Sequence, residues 1–268
     1  MMRALFSGVS GLQTHQIKMD VLANNIANVN TIGFKKGQVT FQDMLSQTLT
    51  DGKSGTANTI GGTNAQQIGL GVMVGAINNI HTQGAAATTG KSTDLMIQGE
   101  GYFILKEGTN LYYSRAGAFM LDNAGNLVNS ANGMLVCNDA AAPTPINITG
   151  SNINIASDGT ISYLDALGAP QVYPSKIGLA TFPNSQGLKK AGENMYIESL
   201  ASGAANVAPN TPGLAGRGTL IAGSLEMSNV DLAQEFVDMI ITERGYQANS
   251  RTIRTADEML QELINLKR

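Results

Sequence analysis

The 268-residue sequence has one cysteine, no tryptophan and two histidines. Cys137 has no second cysteine with which to form an internal disulfide, and no cysteine and histidine cluster has the spacing of zinc ligands. We therefore expect a buried structural thiol, no metal site and no cofactor. His15 and His81 do not stand in a ligand-like or base-like setting, so we interpret both as polar surface residues.

Charge is also scarce. Asp, Glu, Lys and Arg make up 14% of the residues, against a usual ~25%, and the formal net charge is −3. An acidic chain, with a pI near 5.4 and no basic stripe interleaved with aromatic residues, is not expected to bind nucleic acid. So few charges indicate either bland surfaces or surfaces that are covered by partners.

Long apolar runs and catalytic motifs are missing as well. No run reaches the ~18 residues of a membrane span, and the N-terminus lacks the continuous apolar core of a secretory signal peptide. We therefore expect no export by the general secretory route. The sequence has no phosphate-binding loop, nucleophile elbow or HExxH motif, and its Asp-Gly pairs favour hairpin turns over calcium loops. These absences predict a protein that is not an enzyme.

Both ends of the chain carry helical periodicity. Apolar residues recur every three or four positions, which is the spacing of one face of a helix. The N-terminal stripe comprises Leu5, Val9, Leu12, Met19, Leu22 and Ile26. The C-terminal positions assigned to helix pairing are Leu232, Phe236, Met239, Ile240, Tyr246, Ile253, Leu260 and Ile264. Ser228 or Asn229 is predicted to cap the second helix, and Lys267 and Arg268 suit the dipole at its end.

The middle of the chain has the two-residue period of β-strands. "GYFIL" at Gly101–Leu105 reads as a short strand, and "INITGSNINIASDGTISY" alternates isoleucine with polar residues. Asp158-Gly159 within that stretch predicts a hairpin turn. The Gly-, Ser-, Thr- and Asn-rich stretch "TDGKSGTANTIGGTNAQQIG" before the β region predicts a linker or a long extended loop.

Together these periods predict the α+β class: long N- and C-terminal helices paired as an α-helical coiled-coil domain, joined by extended linkers to a central all-β domain. The predicted divisions are 1–30 for the N-terminal helix, 31–70 for the extended linker, 71–225 for the β body and 226–268 for the C-terminal helix. Pairing is favoured because neither terminal helix can bury its stripe alone. The alternative is that both helices fold back on the β domain of the same chain.

Two long motifs at opposite ends of the chain resemble those of the bacterial flagellar rod and hook proteins. "SGLQTHQIKMDVLANNIANVNTIGFKK" is similar to the N-terminal signature of that family, and "SNVDLAQEFVDMIITERGYQANSRTIRTADEMLQELINLKR" is similar to its C-terminal helix. "TDLMIQGEGYFIL" resembles part of the body domain. The signature residues at the helix exit are Asn24, Asn25, Asn28, Asn30, Gly33, Phe34 and Lys35.

The resemblance implies a structural subunit of the flagellum that is exported by the flagellar type III apparatus and self-assembles into a hollow helical tube. The implied partners are further copies of the chain, the export apparatus, and other axial proteins of the rod, hook cap and hook–filament junction. The implied location is the basal body or hook, outside the cell after export.

Within that family, two interpretations compete. The ending, with Tyr246-Gln247 and a terminal "NLKR", resembles the hook protein, which forms a flexible universal joint that transmits motor torque to the filament. The length and the lack of a large inserted outer domain suit the distal rod protein, the rigid drive shaft of the basal body, equally well. We take the hook as the first interpretation and the distal rod as the alternative. A secreted β-domain adhesin and a carbohydrate-active enzyme are the readings outside the family.

The asparagine-rich end of the first helix is the most unusual local feature. Asparagine is a mediocre helix former because its side chain competes for backbone hydrogen bonds. We hypothesise that Asn24, Asn25 and Asn28 bond neighbouring subunits in a crowded interface, while Asn30 and Gly33 stop the helix. Simple capping within one chain would need only the last two residues.

Overall fold

The computed structural model describes residues 2–55, 61–140, 142–165, 167–206, 211–214 and 216–266. The chain divides into two compact units. The helical unit consists of Met1–Ile26, Gly37–Asn78 and Asp231–Arg268, and the β unit consists of Ala27–Lys36 and Asn79–Val230. The chain therefore crosses between the units four times.

Two long helices and 19 strands lie within the described residues. The helices are α1 (Met2–Ala27) and α2 (Leu232–Leu266). The strands are β1 (Gly37–Asp43), β2 (Ser46–Thr50), β3 (Gln66–Gly69), β4 (Val72–Asn79), β5 (Ala86–Thr88), β6 (Leu95–Gln98), β7 (Tyr102–Glu107), β8 (Asn110–Ser114), β9 (Phe119–Leu121), β10 (Leu127–Asn129), β11 (Leu135–Val136), β12 (Ser151–Ile155), β13 (Thr160–Leu164), β14 (Pro170–Lys176), β15 (Leu179–Ala180), β16 (Lys189–Gly192), β17 (Met195–Ile197), β18 (Thr219–Ala222) and β19 (Ser224–Glu226). The predicted α+β class, with a helix at each end and a β-rich centre, is confirmed.

The β unit is built around an eight-stranded sheet in the order β16-β17-β8-β7-β11-β10-β9, with β15 also paired to β7. Strands β12, β13 and β14 form a second sheet, and the pairs β6–β18 and β5–β19 complete the unit. Alternating apolar residues from these short strands form two buried clusters, of which the smaller includes Ile104 and Tyr113. The larger is the main core of the unit. Its fully buried members include Leu95, Ile97, Phe103, Leu105, Phe119, Leu127, Ile146 and Ile161.

The predicted hairpin turn at Asp158-Gly159 joins β12 to β13. Gly159 has a φ of +78°, in the left-handed region that glycine adopts without strain. The Asp158 carboxylate accepts hydrogen bonds from the backbone N–H and the hydroxyl of Thr160, at 3.2 and 2.8 Å. The turn prediction is confirmed.

The stretch predicted as an extended linker, 31–70, contains secondary structure. Strand β1 pairs with β4, and β2 pairs with β3 in a separate antiparallel hairpin. Strands β1, β2 and β3 were missed because their sequences are rich in Gly, Gln and Thr, so the apolar alternation is short and weak. Strand β4, expected at the start of the body domain, belongs to the helical unit except for its last residue. Residues 56–60 of the predicted linker lie outside the described residues.

The two helices contact each other through small residues. A Cβ added at Gly8 would lie 3.0 Å from Cγ1 of Ile253, and one added at Gly11 would lie 2.5 Å from Nδ2 of Asn249. On the other helix, a Cβ at Gly245 would lie 2.6 Å from the His15 ring. The backbones therefore approach closely where side chains are absent. The coiled-coil geometry stays a prediction.

The start of α2 differs from the sequence prediction. The helix begins at Leu232, and the Asp231 carboxylate caps it by accepting a 2.9 Å hydrogen bond from the N–H of Ala233. Ser228 and Asn229 lie upstream, so the predicted capping residue was wrong. Lys267 and Arg268, predicted to close this helix, lie outside the described residues. Within the described parts of the chain, neither helix has a segment long and apolar enough to cross a membrane.

Candidate assembly surface and buried charge cluster

The helical unit exposes many of the apolar residues that were assigned from the sequence to helix pairing. Phe236 is 50% exposed, Ile240 56% and Ile264 67%. Val9, Leu232 and Tyr246 are also exposed; Leu5, Leu12, Met19, Ile26, Met239, Ile253 and Leu260 are half-buried; Leu22 is buried. A large exposed apolar surface of this kind marks an interaction site. The role of these residues in helix pairing and assembly stays a proposal.

Strands of the helical unit add to this surface. Every residue of β2 and β3 is exposed, including Leu49 and Ile68. A lone two-stranded hairpin is marginally stable at best in water, because it has no third strand or helix to cover its apolar face. The hairpin and the exposed helix faces together, from here on the assembly surface, therefore suit a protein that is covered by neighbours.

The helix-exit residue Asn25 is fully engaged within the chain. It is 1% exposed, its Nδ2 donates to the Gly37 carbonyl at 2.9 Å and to Oε2 of Glu235 at 3.0 Å, and its Oδ1 accepts from the Gly37 N–H. The predicted bond to a neighbouring subunit is therefore wrong for Asn25, since both ends of its amide are occupied. Asn24 is exposed, and Oδ1 of Asn28 accepts a hydrogen bond from the Thr31 hydroxyl at 3.1 Å.

Gly33 does not act as the simple helix terminator that was expected. Helix α1 already ends at Ala27, and exposed Asn30 lies in the turn that follows. Gly33 has a φ of +69°, and a Cβ there would lie 2.7 Å from the backbone nitrogen of Ala116. The glycine is needed because the chain passes against another backbone. Phe34 follows it as a buried anchor, 7% exposed.

Lys35 is the centre of a buried charge cluster in the β unit. Its Nζ lies 2.6 Å from Oε1 of Glu226, whose other carboxylate oxygen lies 2.9 Å from Nε of Arg115. Exposure is 1% for Lys35, 0% for Glu226 and 4% for Arg115. Lys35 also donates to the Thr82 carbonyl, and Arg115 donates to the carbonyls of Gly99 and Gly101.

Burial and the nearby charges keep the neighbouring side chains His81 and Tyr102 neutral at pH 7. Burial lowers the pKa of Lys35, while the Glu226 carboxylate opposes that shift. Burial, followed by the cations Lys35, Arg115 and Lys190, lowers the pKa of His81 to about 4. The imidazole is therefore neutral at pH 7, and its Nδ1 and the Tyr102 hydroxyl share a 2.7 Å hydrogen bond. Burial also raises the pKa of Tyr102 to about 12, so its hydroxyl is protonated at pH 7.

The two histidines were predicted to be polar surface residues, and both are half-buried instead. The His81 ring packs edge-on against Tyr102 and Tyr196, and the His15 ring packs against Phe41. A lone histidine gives no local sequence pattern that distinguishes these two settings. Cys137 is buried as expected, and burial raises its pKa to about 11, so it is a thiol at pH 7.

A cavity of about 520 Å³ lies beside the charge cluster and is lined in part by His81, Tyr102, Arg115 and Phe182. Its histidine is bonded to a tyrosine hydroxyl of raised pKa, and its arginine is committed to backbone carbonyls and Glu226. Among the described residues, no three His, Cys, Asp or Glu side chains are grouped as metal ligands. His81, Tyr102 and Arg115 are thus already bonded to groups of the same unit.

Sequence reasoning singled out Lys35 but missed its partners. Glu226 is 191 residues away along the chain, and neither it nor Arg115 stands in a periodic pattern that indicates burial. The need for a buried counter-charge becomes evident only in the structure, where Lys35 directly follows a buried glycine and phenylalanine.

Three models of known protein families match separate regions of the chain. The family model described as "Flagella basal body rod protein" matches residues 5–35, which include Lys35. "Flagellar hook protein FlgE/F/G D1 domain" matches residues 96–163, which include Arg115. "Flagellar basal body rod FlgEFG protein C-terminal" matches residues 221–266, which include Glu226. Each member of the charge cluster thus lies in a different matched region.

Full-length relatives agree. The chain is 52% identical over 268 residues to the flagellar basal-body rod protein FlgG of Bacillus subtilis, with all of both chains covered. It is 39% identical over 270 residues to FlgG of Buchnera aphidicola subsp. Acyrthosiphon pisum, covering 99% of this chain and all of the relative. It is 33% identical over 444 aligned positions to the flagellar hook protein FlgE of Borreliella burgdorferi, again with both chains covered.

The chain therefore belongs to the FlgE/F/G family of flagellar rod and hook proteins, and it is an axial structural protein of the bacterial flagellum. The resemblance drawn from the two terminal motifs is confirmed.

Proposed function

We propose that this chain is the distal rod protein, a subunit of the rigid drive shaft of the basal body. The observation that carries the proposal is the 52% identity to a rod protein over the full length of both chains. The hook relative is more distant, and its alignment needs 444 positions for the 268 residues of this chain, so that relative carries a long additional segment. The distal rod, which was the alternative interpretation of the sequence, is therefore better supported than the hook.

The hook interpretation rests on the hook-like ending and on the 33% identity to a hook protein. A local motif of a few residues weighs less than identity across the whole chain, because the ending is shared by a family that includes both proteins. We therefore keep the hook as the second candidate function.

The structural role that we propose is self-assembly into a hollow helical tube. The assembly surface of the helical unit supplies apolar area that a single chain leaves exposed, notably at Phe236 and Ile240. Contacts between unlike surfaces of identical subunits, related by a rotation that does not close, produce an open filament. Other flagellar axial proteins would continue the tube at its two ends, and no catalytic step is required.

Export would be through the flagellar type III apparatus, which places the subunit in the axial structure outside the cytoplasm. We infer that the helical unit of the free subunit is weakly folded, because a helix whose apolar face has little to pack against is marginally stable in water. Its ordering would then accompany assembly.

Electron microscopy of basal bodies from cells that lack this gene tests the proposal. A rod truncated before its distal part is the expected result. A complete rod that lacks only the hook would overturn the proposal and favour the second candidate. The same cells carrying the restored gene provide the control, since they must regain the complete structure.

A further inference from the structure

Asn229 joins three segments of the β unit at the points where the chain enters or leaves that unit. Its Oδ1 accepts a 2.8 Å hydrogen bond from the N–H of Lys36, the last residue before the chain passes to the helical unit. Its Nδ2 donates at 2.8 Å to the carbonyl of Ile80, next to the point where the chain returns. Asn229 itself lies just before the last of the four crossings, at Val230–Asp231.

The same three segments are bonded directly to one another. The N–H of Ile80 donates to the Lys36 carbonyl at 2.9 Å, and Nδ2 of Asn229 reaches the Thr82 hydroxyl at 2.9 Å. The N–H of Gly33 donates to the Glu226 carbonyl at 2.8 Å. Each segment therefore touches the other two.

The buried charge cluster forms a second layer of the same arrangement. Oε1 of Glu226 accepts from Nζ of Lys35 at 2.6 Å and from the N–H of Gly84 at 3.0 Å, and Lys35 also donates to the Thr82 carbonyl at 2.7 Å. Pulling the segments apart would leave buried charges without partners, which is strongly unfavourable. We call residues 33–36, 80–84 and 226–229 together the exit clasp.

We propose that the exit clasp is the torque-bearing joint of the subunit, with Asn229 as the positioning residue that holds three chain crossings in fixed register. This inference deepens the proposed function and depends on it, because a drive shaft must not dissipate twist inside its subunits. A crossing made by one extended strand would twist freely about its single bonds. Three crossings tied by directional hydrogen bonds must move together, so a twist applied to one is carried by all three.

The test compares Asn229→Ala with the matched control Asn147→Ala in the full-length chain. Asn147 lies in the same β unit, and its Nδ2 also donates to two acceptors, the Ala124 carbonyl and Oδ1 of Asn126, both at 2.8 Å. In the monomer, hydrogen exchange at the Lys36 amide is expected to rise about tenfold in Asn229→Ala and to stay unchanged in Asn147→Ala. Unchanged exchange at Lys36 in Asn229→Ala would overturn the clasp.

The second readout is the torsional stiffness of filaments polymerised from each purified variant, obtained by electron microscopy from the spread of the helical twist between successive subunits. Asn229→Ala filaments are expected to be more flexible than those of the unmodified chain, whereas Asn147→Ala filaments keep the original stiffness. If exchange rises but stiffness does not change, the mechanical role is refuted while the proposed rod function stands. If the unmodified chain forms no filament, the proposed function fails, and the exchange data still decide whether the clasp holds.

Thr82→Val provides a milder variant in case Asn229→Ala does not fold. It removes only the hydroxyl that accepts from Nδ2 of Asn229. A smaller increase in exchange at Lys36, with a smaller loss of stiffness, is expected. Equal effects of Thr82→Val and Asn147→Ala on both readouts would contradict the proposal.

Discussion

The β unit and the helical unit differ in where they keep their apolar side chains. In the β unit, Phe103 and Leu105 are 0% exposed within a core that draws on several sheets. In the helical unit, Leu22 and Ala256 are the buried apolar residues among those described, while Phe236 and Ile240 are half exposed or more. The β unit therefore contains its own core, whereas the helical unit leaves apolar surface exposed, which we propose other chains cover.

Breaking the surface of the helical unit should have the largest effect, because assembly is all or none. Ile240→Asp is expected to abolish polymerisation while leaving the β unit folded, since burying an unpaired carboxylate at a subunit contact is prohibitive. Electron microscopy and sedimentation measure filament formation. Val172→Asp is the matched control: Val172 is 63% exposed on the β unit, against 56% for Ile240. Normal filaments from Ile240→Asp would refute the assignment of this face.

Two phenylalanines sharpen the comparison within the monomer. Phe103→Ala is expected to lower the free energy of unfolding of the β unit by about 4 kcal/mol, because it leaves a cavity in a closed core. Phe236→Ala, at a side chain 50% exposed, is expected to change that free energy by less than ~0.5 kcal/mol. Denaturant unfolding measures both values. Similar losses in the two variants would show that the units do not differ in the way described.

The next largest effect is expected from a change in the buried charge cluster. Glu226→Ala is expected to cost about 3 kcal/mol, because it leaves Lys35 and Arg115 buried without a counter-charge. Glu100→Ala is the control, since Glu100 is exposed on the same unit. Thermal unfolding followed by tyrosine fluorescence is a suitable measurement, because six of the seven tyrosines lie in the β unit and the chain has no tryptophan. Equal melting temperatures for the two variants would contradict the role of the cluster.

The smallest effect is a pH dependence of the β unit. The folded-state pKa of His81 is lowered from 6.5 to about 4, so below pH 6.5 the unfolded chain binds a proton that the folded chain does not. Stability is full above pH 6.5 and is lost as the pH falls towards 4. His81→Gln should flatten this slope, whereas His15→Gln should leave the tyrosine-detected slope unchanged. A slope that persists in His81→Gln would assign it to other groups.

Local periodicity was sufficient to predict some of the fold. The helical stripes predicted α1 and α2, the two-residue alternation predicted the β-rich centre, and Asp158-Gly159 predicted a specific turn, because each depends on residues close in sequence. The hairpin β2–β3 was missed since its Gln- and Thr-rich strands lack a buried face. Secondary structure with weak apolar alternation leaves little trace in a single sequence.

The candidate site was less predictable because its contacts are long-range. Asn25 bonds Glu235 from 210 residues away, and Lys35 pairs with Glu226 from 191 residues away. No local sequence pattern predicts either partner. The unusual asparagine at position 25 did indicate a specific bond, but the partner lay within the same chain and not in a neighbouring subunit.

Hydrogen exchange measured on the monomer and on the assembled filament tests the central comparison most directly. In the monomer, amides of α1 and α2 are expected to exchange rapidly while those of β7 and β8 are protected. In the filament, the helices should become protected and the β core should change little. Helices that are equally protected in monomer and filament would contradict the account, since the helical unit would then be stable without its neighbours.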